Sequence, residues 1–376
     1  AMLASRHGRR LGVRLMSTSS VFRIDGGRSS VSGVTATVFG STGFLGRYVV
    51  NKFGRVGSQV VVPHREHDHD RTRHLRLMGD LGMIVPVPFH ARDEDSIAYA
   101  VEKSDVVINC LGKQELSMNF NFFGSNVETA ERIAMVCKKV GVPQFVHVSA
   151  VAASETSPSE FLRCKAQGEL GVKEYYPDAT IMRVNAMFGE EDRFLNLMAN
   201  WTKTAGFIPV IGNGDNKLKP VYVDDVAEAI RAVVFDPALA GKTYELNGPE
   251  EYKVKDIGKW LANCIWMYNS KVRCIAPDMS GYMPEGMDWA SPHKALGGAL
   301  DAGYRMWPES LPGMPRLLGA RGDCNSMTVD WLPSKKMPQI EDLGIAPQNM
   351  KVLAPEYLRH YRQGGHFVKL HGDDVQ

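Results

Sequence analysis

Short apolar and β-branched runs alternate with stretches of helical periodicity through the first two thirds of the chain. The first run, 34–39, is followed by a helical pattern that contains Tyr48, Val49, Val50 and Phe53. Strands that alternate with helices form parallel sheets with right-handed crossovers. The pattern therefore predicts an α/β domain with a Rossmann-type, doubly wound parallel sheet. Further strands are predicted at 59–63, 83–87, 105–110, 144–149, 180–184 and 243–246, and helices at 126–140 and 254–266.

The pattern changes from Lys271 onward. Ten of the 20 prolines and three of the six tryptophans lie beyond this point, and helical periodicity is weak until 355–362. Proline at this density forbids long regular elements. We predict an irregular C-terminal extension that docks on partner surfaces through aromatic anchors. The alternative is a small irregular lid over a substrate.

The end of this extension mixes basic and aromatic side chains. Such a mixture suits an acidic or interfacial surface, so the predicted contacts include peripheral lipid. An ordinary surface helix with a frayed end is the alternative. The residues concerned are Tyr357, His360, Tyr361, Arg362, His366, Phe367, Val368 and Lys369.

The N-terminal segment is basic and lacks acidic residues. Residues 1–24 contain five arginines, three of them spaced by four, and a run of serine and threonine follows at 17–20. This composition is typical of a mitochondrial targeting segment, and a basic disordered tail is the alternative. The predicted organisation is a basic segment at 1–30, a nucleotide-binding domain at 31–270 and a docking arm at 271–376.

Composition narrows the possible partners. The formal net charge is only +2, so no nucleic-acid partner is predicted. No apolar run approaches the roughly 18 residues that a membrane span requires. The six cysteines are scattered without a Cys-x-x-Cys pair, so we interpret them as reduced core residues.

Three glycines, Gly40, Gly43 and Gly46, lie where the first predicted strand turns into a helix. The first permits the tight turn, the second lets a pyrophosphate approach the backbone, and the third lets the helix pack on the strand. The N–H groups that begin the helix would then hold the anion. An ordinary glycine-rich turn is the alternative. The predicted contacts in this loop are Gly40, Ser41, Thr42, Gly43, Phe44, Leu45 and Gly46.

The second predicted strand ends in a basic pair, His64 and Arg65. A dinucleotide fold that prefers NAD carries an acid about 20 residues past the glycines, where it holds the adenosine ribose. A guanidinium there binds a 2′-phosphate instead. The sequence thus favours NADPH as the cofactor, although a surface arginine at a strand end is also common.

Histidines 64, 67, 69 and 74 lie close to Asp68 and Asp70, which suggests a metal site. Four arginines in the same stretch would oppose a cation. We therefore predict no metal and a solvated loop near the phosphate.

The remaining nucleotide contacts are expected at the carboxyl ends of the later strands, because a dinucleotide lies over these ends in an open α/β sheet. Asp93, Leu111, Gly112 and Ser149 are the candidates there, and Lys165 lies farther along the chain.

These features together resemble the extended or atypical short-chain dehydrogenase/reductase family. In that family a serine and a Tyr-x-x-x-Lys pair on a helix perform the chemistry, and the tyrosine passes a proton to the carbonyl. Ser149 and Lys165 match, but Phe161 occupies the tyrosine position and has no proton to give. Either the chain is inactive, another residue supplies the proton, or the register differs; Tyr175 and Tyr176 have the wrong spacing from a lysine.

Six segments of the sequence carry a more specific resemblance. They resemble the short-chain-dehydrogenase-like accessory subunits of mitochondrial complex I, and they lie at 38–46, 106–112, 145–149, 157–169, 188–195 and 220–227. The resemblance implies a tightly bound NADPH that does not turn over. It also implies an inner-membrane location on the matrix side, near the quinone-binding region, with other complex I subunits of the quinone module and membrane arm as partners.

Two hypotheses of function follow. The first is a structural, NADPH-holding accessory subunit of complex I that has no catalytic residue. The second is an active NADP-dependent reductase or epimerase of the same fold. Phe161 separates them, because it removes the general acid that the second hypothesis requires.

Overall fold

The computed structural model describes residues 27, 29–114, 120–211, 214–268, 270–275, 326, 329–334 and 337–362. Within these ranges, seven strands form a central sheet and shorter strands pair beside it. The strands are β1 (Thr35–Phe39), β2 (Gln59–His64), β3 (Ile84–Pro88), β4 (Val106–Asn109), β5 (Gln144–Ala150), β6 (Thr180–Val184), β7 (Met187–Phe188), β8 (Phe207–Ile211), β9 (Lys217–Leu218), β10 (Val221–Tyr222), β11 (Thr243–Leu246), β12 (Tyr252–Lys253) and β13 (Lys271–Ile275). The helices are α1 (Phe44–Arg55), α2 (Glu94–Val101), α3 (Thr129–Val140), α4 (Glu160–Tyr175), α5 (Leu195–Ala205), α6 (Val223–Phe235), α7 (Val254–Cys264) and α8 (Met350–Leu358).

The central sheet has the order β11-β6-β5-β4-β1-β2-β3, and each neighbouring pair in it is parallel. The chain runs outward from β1 to β3, crosses over to β4, and then runs outward in the other direction. The order therefore reverses between β1 and β4, and ligands of open α/β sheets bind at such a point. The predicted Rossmann-type, doubly wound fold is confirmed.

Successive residues of the inner strands face opposite layers, as the period of two in a strand requires. Val106 and Ile108 of β4 belong to a core shared with α1 and α6, whereas Val107 belongs to a core shared with α2 and α3. Burial on both faces explains why these strands are continuous apolar runs rather than alternating ones.

The predicted strands of the sheet are all present, and the differences lie at the ends of helices. The helix predicted at 126–140 begins with a π-helical turn at Gly124–Glu128 before α3. The helix predicted at 254–266 ends at Cys264, because Trp266 takes a left-handed backbone conformation with φ of 63°. The last helix begins at Met350 and includes Pro355, so it starts earlier than the pattern at 355–362 indicates.

The described parts of 271–376 lie on the chain's own domain. β13 pairs in parallel with β8 over five residues. Residues 329–334, which we call the strap, follow a segment outside the described residues, and α8 packs against α5 and α7 in a separate apolar cluster. For these parts the observed contact is intramolecular. The predicted boundaries at 30 and 270 stay a prediction, and the segment 276–325 lies outside the described residues.

The basic and aromatic residues near the end also contact this domain. The hydroxyl of Tyr357 donates to Asp192 at 3.0 Å, and Nε of Arg362 donates to the carbonyl of Cys264 at 2.7 Å. The Arg362 guanidinium lies 4.6 Å from the centre of the Trp266 ring. Residues 363–376, which include the rest of the predicted lipid-contact set, lie outside the described residues. No helix of the described residues has both the length and the apolar character needed to span a bilayer.

Four cysteines among the described residues are free thiols: Cys110, Cys137, Cys164 and Cys264. Cys137 and Cys164 are buried in apolar surroundings. The interpretation of the cysteines as reduced core residues is confirmed for these two.

Candidate nucleotide-binding site

The glycine turn is built from close backbone approaches. Gly40 follows β1 directly and has a φ of +79°. It lies beside the end of β4, where a Cβ on Gly40 would lie 2.9 Å from the carbonyl oxygen of Cys110. A Cβ on Gly46 would lie 2.2 Å from the carbonyl oxygen of Gly40. The amide of Gly43 donates to that same oxygen at 2.9 Å. Glycine is therefore required at 40 by the backbone conformation and at 46 by the packing of α1 on the turn.

The N-terminus of α1 is arranged to receive an anion. Gly43 is its N-cap residue and is exposed, no acidic residue lies in the first turn, and no side chain of the described residues caps the helix. Unpaired N–H groups and the positive end of the helix dipole favour a phosphate at such a place. Thr42 and Phe44 are half-buried beside it, while Ser41 and Leu45 are buried.

The two basic residues at the end of β2 differ in their exposure to solvent. His64 is buried, and its Nδ1 lies 2.9 Å from the carbonyl oxygen of Arg65. Arg65 is exposed and immediately precedes a 3₁₀ helix at Glu66–Met78. The strand order places this end next to β1 and its glycine turn, which is the geometry that the 2′-phosphate hypothesis requires.

Asp93 lies beyond the carboxyl end of β3, as predicted, but its side chain already has a structural role. It is the N-cap of α2, and its carboxylate accepts hydrogen bonds from the amides of Asp95 and Ser96 at 3.2 and 3.3 Å. Capping of this kind typically contributes about 1 kcal/mol. The cap accounts for Asp93 without a nucleotide, and a nucleotide contact at this residue stays a prediction.

β4 and β5 contain polar residues that the sequence interpretation missed. The side-chain Nδ2 of Asn109 donates to Nδ1 of His147 at 3.2 Å, and the Asn109 side-chain oxygen accepts from the backbone amide of Leu111 at 3.0 Å. Burial, together with the smaller effect of the positive charge of Lys165, lowers the pKa of His147 to about 3. His147 is therefore neutral at pH 7. A polar residue within an otherwise apolar, buried strand is the signal that could have identified both.

Lys165 connects these ends to α4. Its Nζ donates to the carbonyl of Val148 at 3.4 Å, and a Cβ at Gly112 would lie 2.6 Å from the same Nζ. Burial lowers the pKa of Lys165 to about 8, against the opposing effects of Glu169 and Cys110. The Lys165 side chain therefore passes directly over Gly112, where a larger residue would obstruct it. The structure brings together the predicted site residues Gly112, Ser149 and Lys165.

Unsatisfied polar atoms are concentrated at this place. Among the described residues, five buried side-chain atoms have no hydrogen-bond partner, and four of them lie around the ends of β1, β5 and the start of α3. A buried polar atom without a partner costs about 1–3 kcal/mol. A nucleotide over these strand ends would supply the missing partners, so the residues fit the cofactor. The four atoms are Ser41 Oγ, Asn126 Oδ1, His147 Nε2 and Ser149 Oγ.

The position of the missing acid is apolar. Phe161 lies in the first turn of α4, four residues before Lys165, and is buried. Its ring packs edge-on against Phe122 with centroids 6.3 Å apart. Val127, Ala150, Leu162 and Cys164 complete this cluster, which we call the Phe161 cluster, and Val329 and Trp331 of the strap pack against it.

Metal binding has no geometric support in the described part of the chain. No group of three or more histidine, cysteine, aspartate or glutamate side chains is close enough there to hold an ion. The side chains of 66–69 lie outside the described set, so the hypothesis about the histidine loop is tested only at His64, Asp70 and His74.

A doubly wound parallel sheet with a glycine turn at its switch point defines the Rossmann class of nucleotide-binding folds. Residues 36–247 match the model of the NAD dependent epimerase/dehydratase family, and the chain belongs to that family.

Relatives agree with the more specific resemblance. The chain is 41% identical over 342 residues to NADH dehydrogenase (ubiquinone) 1 alpha subcomplex subunit 9, mitochondrial, of Arabidopsis thaliana, covering 90% of this chain and 81% of the relative. It is 48% identical over 237 residues to the protein of the same name from Rattus norvegicus, covering 63% of this chain and 62% of the relative. The resemblance to the accessory subunits of complex I is confirmed by these similarities.

Among solved structures, the NADPH-dependent quinone oxidoreductase QOR2 of Escherichia coli, complexed with NADPH, is similar with a TM-score of 0.61. The two chains are 18% identical over 87% of this chain and 99% of that one. At this identity the likeness shows the shared fold alone.

Proposed function

We propose that this chain is an accessory subunit of mitochondrial NADH:ubiquinone oxidoreductase that holds NADPH and does not turn it over. The observation that carries the proposal is the difference between two groups of residues at α4, those that would bind the nucleotide and the one at the position of the proton donor. Lys165 and Ser149, which would bind the nucleotide, are in place, whereas Phe161 occupies the position of the proton donor within an apolar cluster.

The geometry supports a role in holding NADPH for three parts of the site. The amides at the start of α1 would bind the pyrophosphate, Arg65 the 2′-phosphate, and Lys165 the nicotinamide ribose. NADPH supplies a hydride when it is bound beside an acceptor. A hydride delivered to a carbonyl also requires a proton, and Phe161 cannot provide one.

The proposed setting is the matrix side of the inner membrane, beside the quinone-binding region, with other complex I subunits as partners. The names of the relatives from plant and rat support the complex and the organelle. The holding of NADPH would support the stability and assembly of the neighbouring subunits, because a ligand that binds only the folded state stabilises it by mass action.

The deciding experiment is to isolate the native protein and identify its co-purifying chains and its bound nucleotide by mass spectrometry. We expect complex I subunits and NADPH. The purified chain, loaded with NADPH, is then assayed against quinones, ketones and nucleotide sugars. Consumption above background that is lost in a Ser149→Ala variant would identify an active reductase instead.

A further inference from the structure

The Phe161 cluster joins four separated parts of the chain. Phe122 and Val127 come from the segment that enters α3, Ala150 from the end of β5, and Phe161 from the first turn of α4. Val329 and Trp331 reach the cluster from the strap. The strap is distant in sequence from the other three parts, so its presence here is a property of the tertiary structure.

This cluster lies directly beside the polar groups of the nucleotide site. Ala150 follows Ser149, Cys164 precedes Lys165, and Val127 follows Asn126, whose side-chain oxygen is buried without a partner. In an active reductase the acid at position 161 would point from this place toward the reacting carbonyl of a substrate. The strap therefore packs on the side of the site where a substrate would be held.

Hydrogen bonds fix the strap to two parts of the domain. The amide of Trp331 donates to the carbonyl of Lys217 at 2.8 Å, and Asp330 accepts from the amide of Lys217 at 2.7 Å. Asn185, which follows β6, donates through its side chain to the carbonyl of Trp331 at 2.7 Å. The Trp331 indole N–H donates to the carbonyl of Ser326 at 3.0 Å.

The next residues continue this attachment along the edge of the sheet. The amide of Ser334 donates to the buried carboxylate of Glu245 at 2.6 Å, and the amide of Glu245 donates to the carbonyl of Pro338 at 2.9 Å. Glu245 lies in the edge strand β11, so the chain beyond the strap covers part of that edge. These bonds satisfy backbone groups on both sides and hold a half-buried tryptophan in one position.

We propose that the strap is a built-in plug, with Val329 and Trp331 occupying the space in which an active relative would hold its substrate. This inference rests on the proposed function and extends it. The loss of the acid at 161 and the closure of the substrate space are two separate features, and each by itself prevents turnover. Restoring a tyrosine at 161 would then leave the space filled.

Two buried thiols provide a local test. Cys164 belongs to the Phe161 cluster, whereas Cys137 lies in the core between α3 and the sheet, away from the strap. A maleimide modifies Cys164 only when the plug opens or the whole domain unfolds, and it modifies Cys137 only in the second case. The ratio of their labelling rates in the full-length, nucleotide-free chain therefore measures opening of the plug alone.

Trp331→Ala is the test variant, and Trp260→Ala is the matched control. Trp260 is half-buried in α7 and packs in the cluster that Trp331 also contacts, but it does not pack on the Phe161 cluster. We expect Trp331→Ala to raise the Cys164 labelling rate at least roughly tenfold relative to Cys137, as local opening does without global unfolding. Trp260→Ala should leave that ratio unchanged.

Trp331→Phe, which retains an aromatic ring, keeps the test decisive if the alanine variant does not fold, and should give a smaller rise. Labelling of Cys164 in the wild-type chain at the rate of an exposed thiol would overturn the plug. So would a rise in Trp331→Ala that is equal for Cys164 and Cys137, or no rise at all. Absence of NADPH binding would count against the proposed function only, because this assay contains no nucleotide.

Discussion

Two neighbouring regions to which α4 contributes, the nucleotide site and the Phe161 cluster, differ in how completely the protein satisfies its own polar groups. In the nucleotide site, Ser41, His147 and Ser149 each leave a buried polar atom without a partner in the described structure. In the Phe161 cluster, Phe161 is enclosed by apolar side chains that include Trp331. A ligand-free binding site retains polar groups that only the ligand satisfies, whereas a region that binds no ligand can be filled with apolar side chains.

Under the proposed function, this contrast separates NADPH binding from turnover within one helix. Lys165 and Phe161 are four residues apart, so they share a face of α4. The Lys165 side chain lies against Gly112 and the carbonyl of Val148, whereas the Phe161 side chain is part of an apolar cluster. The following variants test the nucleotide site and the Phe161 cluster separately, beginning with the largest expected effect.

Gly46→Ala should eliminate measurable NADPH binding. The added Cβ would lie 2.2 Å from the carbonyl oxygen of Gly40 and 2.6 Å from Cα of Ser41, and backbone cannot move aside as a flexible side chain can. We also expect the free energy of unfolding to fall by about 1–3 kcal/mol, the usual cost of overpacking. Calorimetric titration and thermal melting measure the two effects.

Gly27→Ala is the control, because a Cβ at that position meets no atom within 4 Å. Unchanged NADPH affinity in Gly46→Ala would show that the glycine turn does not hold the nucleotide.

Arg65→Asp should weaken NADPH by about 1.5–3 kcal/mol, the range for a hydrogen bond to a charged group, and leave NADH binding unchanged. The reason is that only NADPH carries the 2′-phosphate. Arg73→Asp is a suitable control, because Arg73 is exposed on the adjacent 3₁₀ helix and is paired with Asp70 at 3.0 Å. Equal weakening of both nucleotides by Arg65→Asp would contradict the 2′-phosphate role.

Lys165 predicts a pH dependence of binding. Its pKa is lowered from 10.5 to about 8 by burial, and an anionic nucleotide favours the protonated form. Binding therefore takes up a proton, and NADPH affinity should fall as the pH rises through about 8. Lys165→Met should flatten this profile and weaken binding at pH 7 by roughly tenfold.

The stability of the nucleotide-free protein changes with pH in the direction opposite to that of NADPH affinity. Between pH 8 and 10.5 the unfolded chain holds the Lys165 proton and the folded chain does not, so the free energy of unfolding rises with pH across this window. Lys173→Met, at an exposed position of the same helix, should change neither profile. A flat binding profile in the wild type would argue against contact between Lys165 and the nucleotide.

Phe161→Tyr should have the smallest effect, on stability alone. The new hydroxyl enters an apolar cluster, and an unsatisfied hydroxyl costs about 1–3 kcal/mol in proteins, less if it reaches water or the nucleotide. NADPH affinity should change little, and no turnover should appear. Chemical denaturation and a nucleotide-consumption assay give the two readings. Turnover in this single variant would show that the substrate space is open and that only the acid is missing.

The sequence was most informative where one local feature has one structural meaning. Gly40, Gly43 and Gly46 predicted the turn, and at Gly40 and Gly46 a side chain would collide with backbone atoms. The apolar runs predicted the strands of the sheet, because strands buried on both faces are continuous apolar runs. Phe161 was identified from the Tyr-x-x-x-Lys pattern of the family that the sequence resembles, because it lies four residues before Lys165.

The polar residues of the site were harder to identify. Asn109, Asn126 and His147 were missed, since asparagine and histidine in buried elements have many possible roles. Asp93 was selected by its position, and the structure shows its carboxylate capping α2.

The amino-acid sequence by itself determined the doubly wound sheet, the glycine turn and the phenylalanine four residues before Lys165, because each depends on residues that are near one another along the chain. Only the tertiary structure decided where Trp331 lies. An irregular, proline-rich segment has no periodicity to indicate the surface it covers, so the sequence favoured a docking arm on partners. Contacts between residues more than a hundred positions apart place the strap on Asn185 and Lys217 instead, and local pattern contains no information about such contacts.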